Sequence, residues 1–228
     1  MKILIIDNTI DRDSWGSDPL RHYARRVSGA TIVVRRAPHD DLPTSPRGYD
    51  RIILSGSGTS CMADAPWIEK LHEFIRTSIN EKKALLGVCF GHQSIIRALG
   101  GKTLMRRAEK SEHGWTKIDL VGDAPLFKGL PQSFFSFSAH YEEVSALPKS
   151  MKHLASSDDC RFQACQLGEL PVYGIQFHPE RNAEQAEKTF AECKRNGESK
   201  TLLHPRETAK LYNPKIGDMV FSNFLEQS

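Results

Sequence analysis

Cys89 stands in the run Leu85-Leu86-Gly87-Val88-Cys89-Phe90-Gly91-His92-Gln93. The apolar residues before it read as a strand, and Ser94-Ile95-Ile96-Arg97-Ala98-Leu99 after it as a helix. A cysteine at that corner sits at a helix N-terminus, where unpaired N–H groups and the helix dipole favour negative charge. Thiolate nucleophiles are stabilised in such places. The outline is that of a nucleophile elbow with Cys in place of Ser. A lone cysteine more often packs as a small hydrophobe. Gly87 and Gly91 argue against that here, because they let backbone and substrate approach a strained turn.

A thiol nucleophile needs a base, and the base needs an acceptor to orient it. Val172-Tyr173-Gly174-Ile175-Gln176-Phe177-His178-Pro179-Glu180 supplies both at the end of a second strand-like run. Pro179 can continue neither a ladder nor a helix, so His178 and Glu180 project from an irregular strand end. His-Pro-Glu alone is short enough to arise by chance. Paired with the elbow, each motif closing a strand, it completes a Cys, His and carboxylate set.

Together the two motifs resemble those of the class I glutamine amidotransferase family, whose signatures are a Gly-x-Cys-x-Gly-x-Gln elbow and a His-Pro-Glu strand end. The resemblance runs from the first strand to about Glu180 and returns in the last helix. It implies Cys89 as nucleophile, His178 as general base and acid, and Glu180 as the residue that orients His178. It also implies a γ-glutamyl substrate and a thioester intermediate. The chemistry of the residues agrees: thiolate attacks a carboxamide carbon, imidazolium protonates the departing ammonia, and water cleaves the acyl-enzyme. It calls for no cofactor and no metal.

Such a reaction needs an oxyanion hole. One donor is expected to be the N–H of Phe90, directly after the nucleophile. The second is expected from the loop after Arg51-Ile52-Ile53-Leu54, where family members usually show Gly-Gly-Pro or Pro-Gly-Pro. This chain has Gly56-Ser57-Gly58, so Ser57 stands where the donor glycine is usual, beside Gly58. A backbone N–H survives that exchange. Family members of the GMP synthase type also carry Ser-His-Gly-Asp at the place of Ala139-His140-Tyr141-Glu142, where backbone groups hold glutamine. His140 is kept; Tyr141 adds bulk beside the expected substrate. The preferred γ-glutamyl compound is thereby left open. Gln93 matches a position that contacts substrate in the family.

The chain of 228 residues is long enough for one sizeable α/β core, and a single domain over 1–228 is expected. Its 39% hydrophobic and 26% charged residues are ordinary for a globular protein. No N-terminal leader pattern precedes the first strand, and no apolar run approaches the roughly 20 residues of a membrane span. A cytoplasmic location is expected, with no membrane partner. The five cysteines form no CxxC pair and no Cys/His spacing typical of zinc, and read as reduced thiols. The arginine pairs at 25–26, 35–36 and 106–107 lack interleaved aromatic residues, so a solvated face is favoured over a nucleic-acid site.

Around the motifs, strands are expected at Lys2–Asp7, Thr31–Arg35, Arg51–Leu54 and Ala84–Val88, with helices between them. One helix starts near Ser17 or Asp18 and ends at Gly29; another starts at Pro66. Strand-like segments run from Trp115 to Phe177. The expected fold is α/β: an open, mainly parallel but mixed sheet with helices on both faces. Ligands of such sheets bind beyond the carboxyl ends of the strands, where Cys89, Ser57 and His178 all fall. Residues 183–216 read as an insertion, with a polar helix at Glu184–Arg195 ahead of a last helix at Gly217–Leu225. It would be a surface elaboration, or else a lid or docking surface beside His178.

The chain carries no ATP-binding signature and no room for a synthase domain. The expected function is therefore glutamine amide hydrolysis supplying ammonia to a separate synthase. The alternative is a stand-alone γ-glutamyl peptidase, since such members share the Ser55-Gly56-Ser57 variant of the oxyanion loop. A non-catalytic regulatory module is disfavoured, because binding alone would not need all three of Cys89, His178 and Glu180.

Overall fold

Uninterrupted aliphatic runs, buried on both sides, build the centre of the sheet. The computed structural model describes residues 1–14, 16–197 and 202–226. In its first half the strands are β1 (Lys2–Asp7), β2 (Thr31–Arg36), β3 (Arg51–Leu54) and β4 (Ala84–Val88). The helices α1 (Asp18–Ala24), α2 (Pro66–Asn80) and α3 (Phe90–Gly100) connect or follow them. The second half adds β5 (Met105–Leu120), β6 (Ser133–Val144), β7 (Met151–Ser156), β8 (Ala164–Leu167) and β9 (Val172–Ile175). It ends with α4 (Ala183–Arg195), β10 (Leu202–Leu203), α5 (Thr208–Leu211) and α6 (Pro214–Glu226).

Among the described residues these strands form one ten-stranded sheet, ordered β10-β5-β7-β8-β9-β4-β3-β1-β2, with β6 paired to β5 off that path. β2, β1, β3, β4 and β9 run parallel. β5 through β8 are joined by antiparallel pairs, and β8 joins β9 antiparallel. Alternate residues of each central strand point to opposite faces. Ile3, Ile5, Ile53, Leu86 and Val88 meet Leu20 of α1 and Val220, Phe221 and Phe224 of α6. Leu4, Ile6, Ile52, Leu54 and Leu85 meet Leu71 and Ile75 of α2 and Ile95 and Ile96 of α3. The mixed sheet with helices on both faces is the expected one.

Several boundaries differ from the sequence reading, three of them with a plain physical reason. β5 begins at Met105, ten residues before Trp115. Its first half is polar because it is exposed, and it is held by cross-strand pairing, including Arg106 to Glu143 at 2.7 Å. α1 stops at Ala24, well short of Gly29: the N–H groups of Arg26 and Val27 turn to the i−3 carbonyls of Tyr23 and Ala24, which tightens and ends the helix. α6 starts at Pro214, with proline in the first turn, and so absorbs the end of the expected insertion.

The rest of that insertion, in its described residues, is packed down. α4 opens on a capping box between Asn182 and Gln185. Its Ala186 and Phe190 are buried against Trp115 of β5 and Phe137 of β6. Trp115 Nε1 donates to Thr208 Oγ1 of α5 at 3.1 Å, and β10 adds to the sheet beside β5. No helix among the described residues is long and apolar enough to cross a membrane.

Candidate active site

β4 ends at Val88, α3 starts at Phe90, and Cys89 alone makes the corner. Its φ of 50° and ψ of −104° lie where a side-chain-bearing residue is strained, as a nucleophile elbow requires. The corner is tied to the next strand by the Cys89 N–H, which donates to Ile175 O at 2.8 Å. The flanking glycines permit the turn. A Cβ on Gly87 would lie 2.4 Å from the Gly91 carbonyl, and one on Gly91 would lie 2.6 Å from Leu54 O. Neither obstacle is a side chain that can swing away. Gly87→Ala is expected to destabilise the protein by about 1–3 kcal/mol and to cost most of the activity. A urea midpoint together with kcat checks it; a variant with wild-type values of both would show the elbow to be looser than this geometry.

His178 lies just beyond β9, its N–H donating to Phe137 O of β6 at 2.7 Å. Its Nδ1 is 2.6 Å from Glu180 Oε1, and both side chains are nearly buried. The ring lies close enough to Cys89 for the two groups to interact electrostatically. Burial works against charging this ring, but Glu180 and the Cys89 sulphur outweigh it and lift the His178 pKa from 6.5 to about 9. A thiol beside an imidazole held this way can pass its proton to the ring and leave a thiolate–imidazolium pair. Gly56 lies under both groups: a Cβ there would be 3.1 Å from His178 Cε1 and 3.6 Å from Cys89 Cβ.

Cys89 is at the seam of two clefts that also share Ser57, Gly58 and Ala139. The first, about 500 Å³, is lined further by Gln93, Arg107, His140, Tyr141 and Glu142. The second, about 610 Å³, takes in His178, Glu180 and Arg181 together with Gln185, Lys188 and Thr189 from the start and middle of α4. One cleft can hold an acyl group and the other the group that leaves it.

The sequence profile of the family described as "Glutamine amidotransferase class-I" matches residues 14–194. The chain belongs to the class I glutamine amidotransferase family. One of the subunits of the glutamine-hydrolysing GMP synthase of Methanocaldococcus jannaschii is 40% identical over 149 residues, 65% of this chain and 73% of that one. The corresponding GMP synthase subunit of Pyrococcus furiosus is 43% identical over 152 residues, 66% of this chain and 76% of that one. A glutamine amidotransferase of Thermotoga maritima superposes with a TM-score of 0.81 at 22% identity, covering 100% of this chain and 97% of that chain. The amidotransferase of Methylobacillus flagellatus gives 0.81 at 20% identity, covering 99% and 94%. Fold and enzyme class are thus those of a class I glutamine amidotransferase.

Within this amidotransferase the residues singled out in the sequence take different places. Cys89, His178 and Glu180 are brought together, and Ser57, Gly58, Gln93 and Tyr141 line the cleft beside them. Phe90 begins α3, so its N–H has no helical carbonyl behind it, while its ring is buried against Trp67. The Ser57 hydroxyl turns back on its own loop, accepting from the Thr59 N–H at 3.0 Å. His140 borders the cleft, but its ring points away: Nε2 is 2.8 Å from Glu112 Oε2, deep in the sheet. Gln163 donates to the same carboxylate at 2.6 Å and Ser157 at 2.5 Å, so Glu112 is a buried carboxylate held by three partners. Cys160 brings a third possible metal donor to Glu112 and His140. The hydrogen bonds already made there fit a pin for the strand that carries Ala139 and Tyr141.

Three further residues near the sulphur were given no role by the sequence, although Glu142 stands at a position matched to the family. Gln176 Nε2 is 3.4 Å from Cys89 Sγ. Glu142 accepts from Ser60 Oγ at 2.5 Å and from the Cys61 N–H at 2.7 Å, anchoring the far side of the Ser57 loop. Arg107 sits opposite Glu142 in the β5–β6 register, at the rim of the first cleft. Arg107 lies in a strand the motifs do not reach, and Gln176 and Glu142 stand beside motif residues that have a chemical role of their own.

Proposed function

We propose that this protein hydrolyses the side-chain amide of glutamine through a γ-glutamyl thioester on Cys89 and passes the ammonia to a separate synthase. The contact that carries this reading is the 2.6 Å pair of His178 and Glu180 standing behind the Cys89 sulphur. In this reading the γ-glutamyl group occupies the first cleft, where Arg107 offers a guanidinium to its α-carboxylate. Cys89 attacks the amide carbon, and the oxyanion is met by the N–H groups of Phe90 and Ser57. His178, charged at that stage, returns its proton to the departing nitrogen; a water then enters, is deprotonated by the same ring, and releases glutamate. The relatives named above belong to glutamine-hydrolysing GMP synthases, which supports a partner synthase as the destination of the ammonia. Five thiols without a disulfide partner suit a reducing compartment such as the cytoplasm.

One observation favours a second reading, hydrolysis of γ-glutamyl peptides. The cleft on the His178 side, about 610 Å³, is far larger than the roughly 30 Å³ share of a water-sized molecule such as ammonia. The two readings separate on kcat/KM for glutamine and for a γ-glutamyl dipeptide, measured on the isolated protein. Weak activity on both, rising when a synthase is added, is the expected result, because Ser57 and Tyr141 depart from the usual glycines. A dipeptide preference of about a hundredfold, some 2.7 kcal/mol of transition-state binding, would install the peptidase instead.

A further inference from the structure

Gln176 has no exposed surface and lies directly after β9, two residues before His178. Its amide faces the Cys89 sulphur, and an amide can present either its oxygen or its nitrogen. Here the neighbours decide which. The Glu142 carbonyl can only accept, and it takes a hydrogen bond from Gln93 Nε2 at 2.8 Å. The same nitrogen lies 3.0 Å from Gln176, which must therefore turn its Oε1 towards it. That leaves Gln176 Nε2 aimed at Cys89 Sγ, 3.4 Å away. The backbone N–H of Gln176, donating to Gln163 O at 2.8 Å, fixes the base of the side chain.

A buried N–H donor on a sulphur favours thiolate over thiol, since hydrogen bonds to charged groups exceed those to neutral ones. We propose that Gln176 is a catalytic residue of this site, giving the Cys89 thiolate a second hydrogen-bond donor besides His178, and that Gln93 is the positioning residue that sets its orientation. The proposal rests on the reading of Cys89 as the nucleophile. It assigns to Gln93 a duty distinct from touching substrate: through the Glu142 carbonyl it transmits one fixed polarity to the sulphur. The charged and titratable groups lining the clefts around this sulphur and its donors are His178, Glu180 and Arg181 after β9, Cys61 after β3, Arg107 on β5, His140 and Glu142 on β6, Asp18 on α1, and Lys188 and Glu192 on α4. All of them remain in the variants below.

The test is the pH dependence of Cys89 alkylation by iodoacetamide, with the site confirmed by peptide mapping, alongside kcat and KM for glutamine. Gln176→Met should lower kcat about 10- to 100-fold with KM within twofold, and raise the alkylation midpoint by about one pH unit. Gln176→Glu keeps the shape but brings a carboxylate to the sulphur, and should do at least as much. Gln93→Met leaves Gln176 in place and frees its amide to rotate. It should raise the midpoint by a smaller step, and it keeps the test open should substitution at 176 prevent folding. A folded variant at either position with midpoint and kcat within twofold of wild type would overturn the role of Gln176. Wild-type protein that is alkylated elsewhere, with Cys89 untouched, would instead remove the nucleophile reading beneath it.

Discussion

Replacing Cys89 by alanine is expected to lower glutamine turnover about a million-fold while leaving the fold in place. The covalent route is lost because the other hydroxyl shared by the two clefts, that of Ser57, is turned onto Thr59 and has no base beside it. The backbone survives because alanine keeps the Cβ and the corner is held by the Cys89 N–H to Ile175 O. Ammonia release and a thermal melt, measured on one preparation, check both halves. Near wild-type hydrolysis would eliminate the thioester route. A γ-glutamyl chloroketone should label Cys89 ahead of the other thiols. Burial raises Cys160 far above its ordinary value and Cys165 to about 12, and it also raises Cys61 beside the Glu142 carboxylate.

The second large effect belongs to the base. His178→Ala should cost nearly as much as losing the thiol, because the ring both takes and returns the proton. Glu180→Gln should cost less, about ten-thousandfold, since an amide can still hold the ring but not its charge. The pH profile separates these roles. With His178 lifted to about 9, kcat/KM should fall on an alkaline limb near that pH as the imidazolium is lost. Removing the Glu180 charge should move the limb towards neutrality. Stability should follow the same sign: the folded protein holds this proton more tightly than the unfolded chain does. The contribution is therefore fully present below 6.5 and disappears as pH rises through about 9. Glu180→Gln proving more damaging than His178→Ala would reverse the assigned roles.

The parts of this site that could be read from sequence are those where local rules and the sheet agree. Lys2–Asp7, Arg51–Leu54 and Ala84–Val88 are apolar because both of their faces are covered, and their observed bounds are the expected ones. The elbow and the His-Pro-Glu end were visible because glycine and proline mark the chain where it must turn. The start of β5 was hidden because its residues face water and its stability comes from partners on β6, such as Glu143 for Arg106. Gln176 was hidden for a different reason. A polar residue within an apolar strand end carries no period of its own, and its meaning depends on Gln93 and the Glu142 carbonyl. The ring of His140 turned out to serve Glu112, which sits on another strand and has no fixed spacing from it.

The packing of α4 bears on how such an enzyme can change. Phe190 of α4 rests on Phe137 of β6, the residue whose carbonyl receives the His178 N–H. The outer face of the same helix walls the second cleft through Gln185, Lys188 and Thr189. Its inner side therefore packs under the strand that holds the His178 backbone, while its outer side walls the second cleft. Substitutions on the outer side can reshape the exit without disturbing bond cleavage, and substitutions on the inner side cannot. Under the proposed function, reaction and leaving-group preference lie on opposite sides of one helix, and selection can act on the second while the first stays fixed.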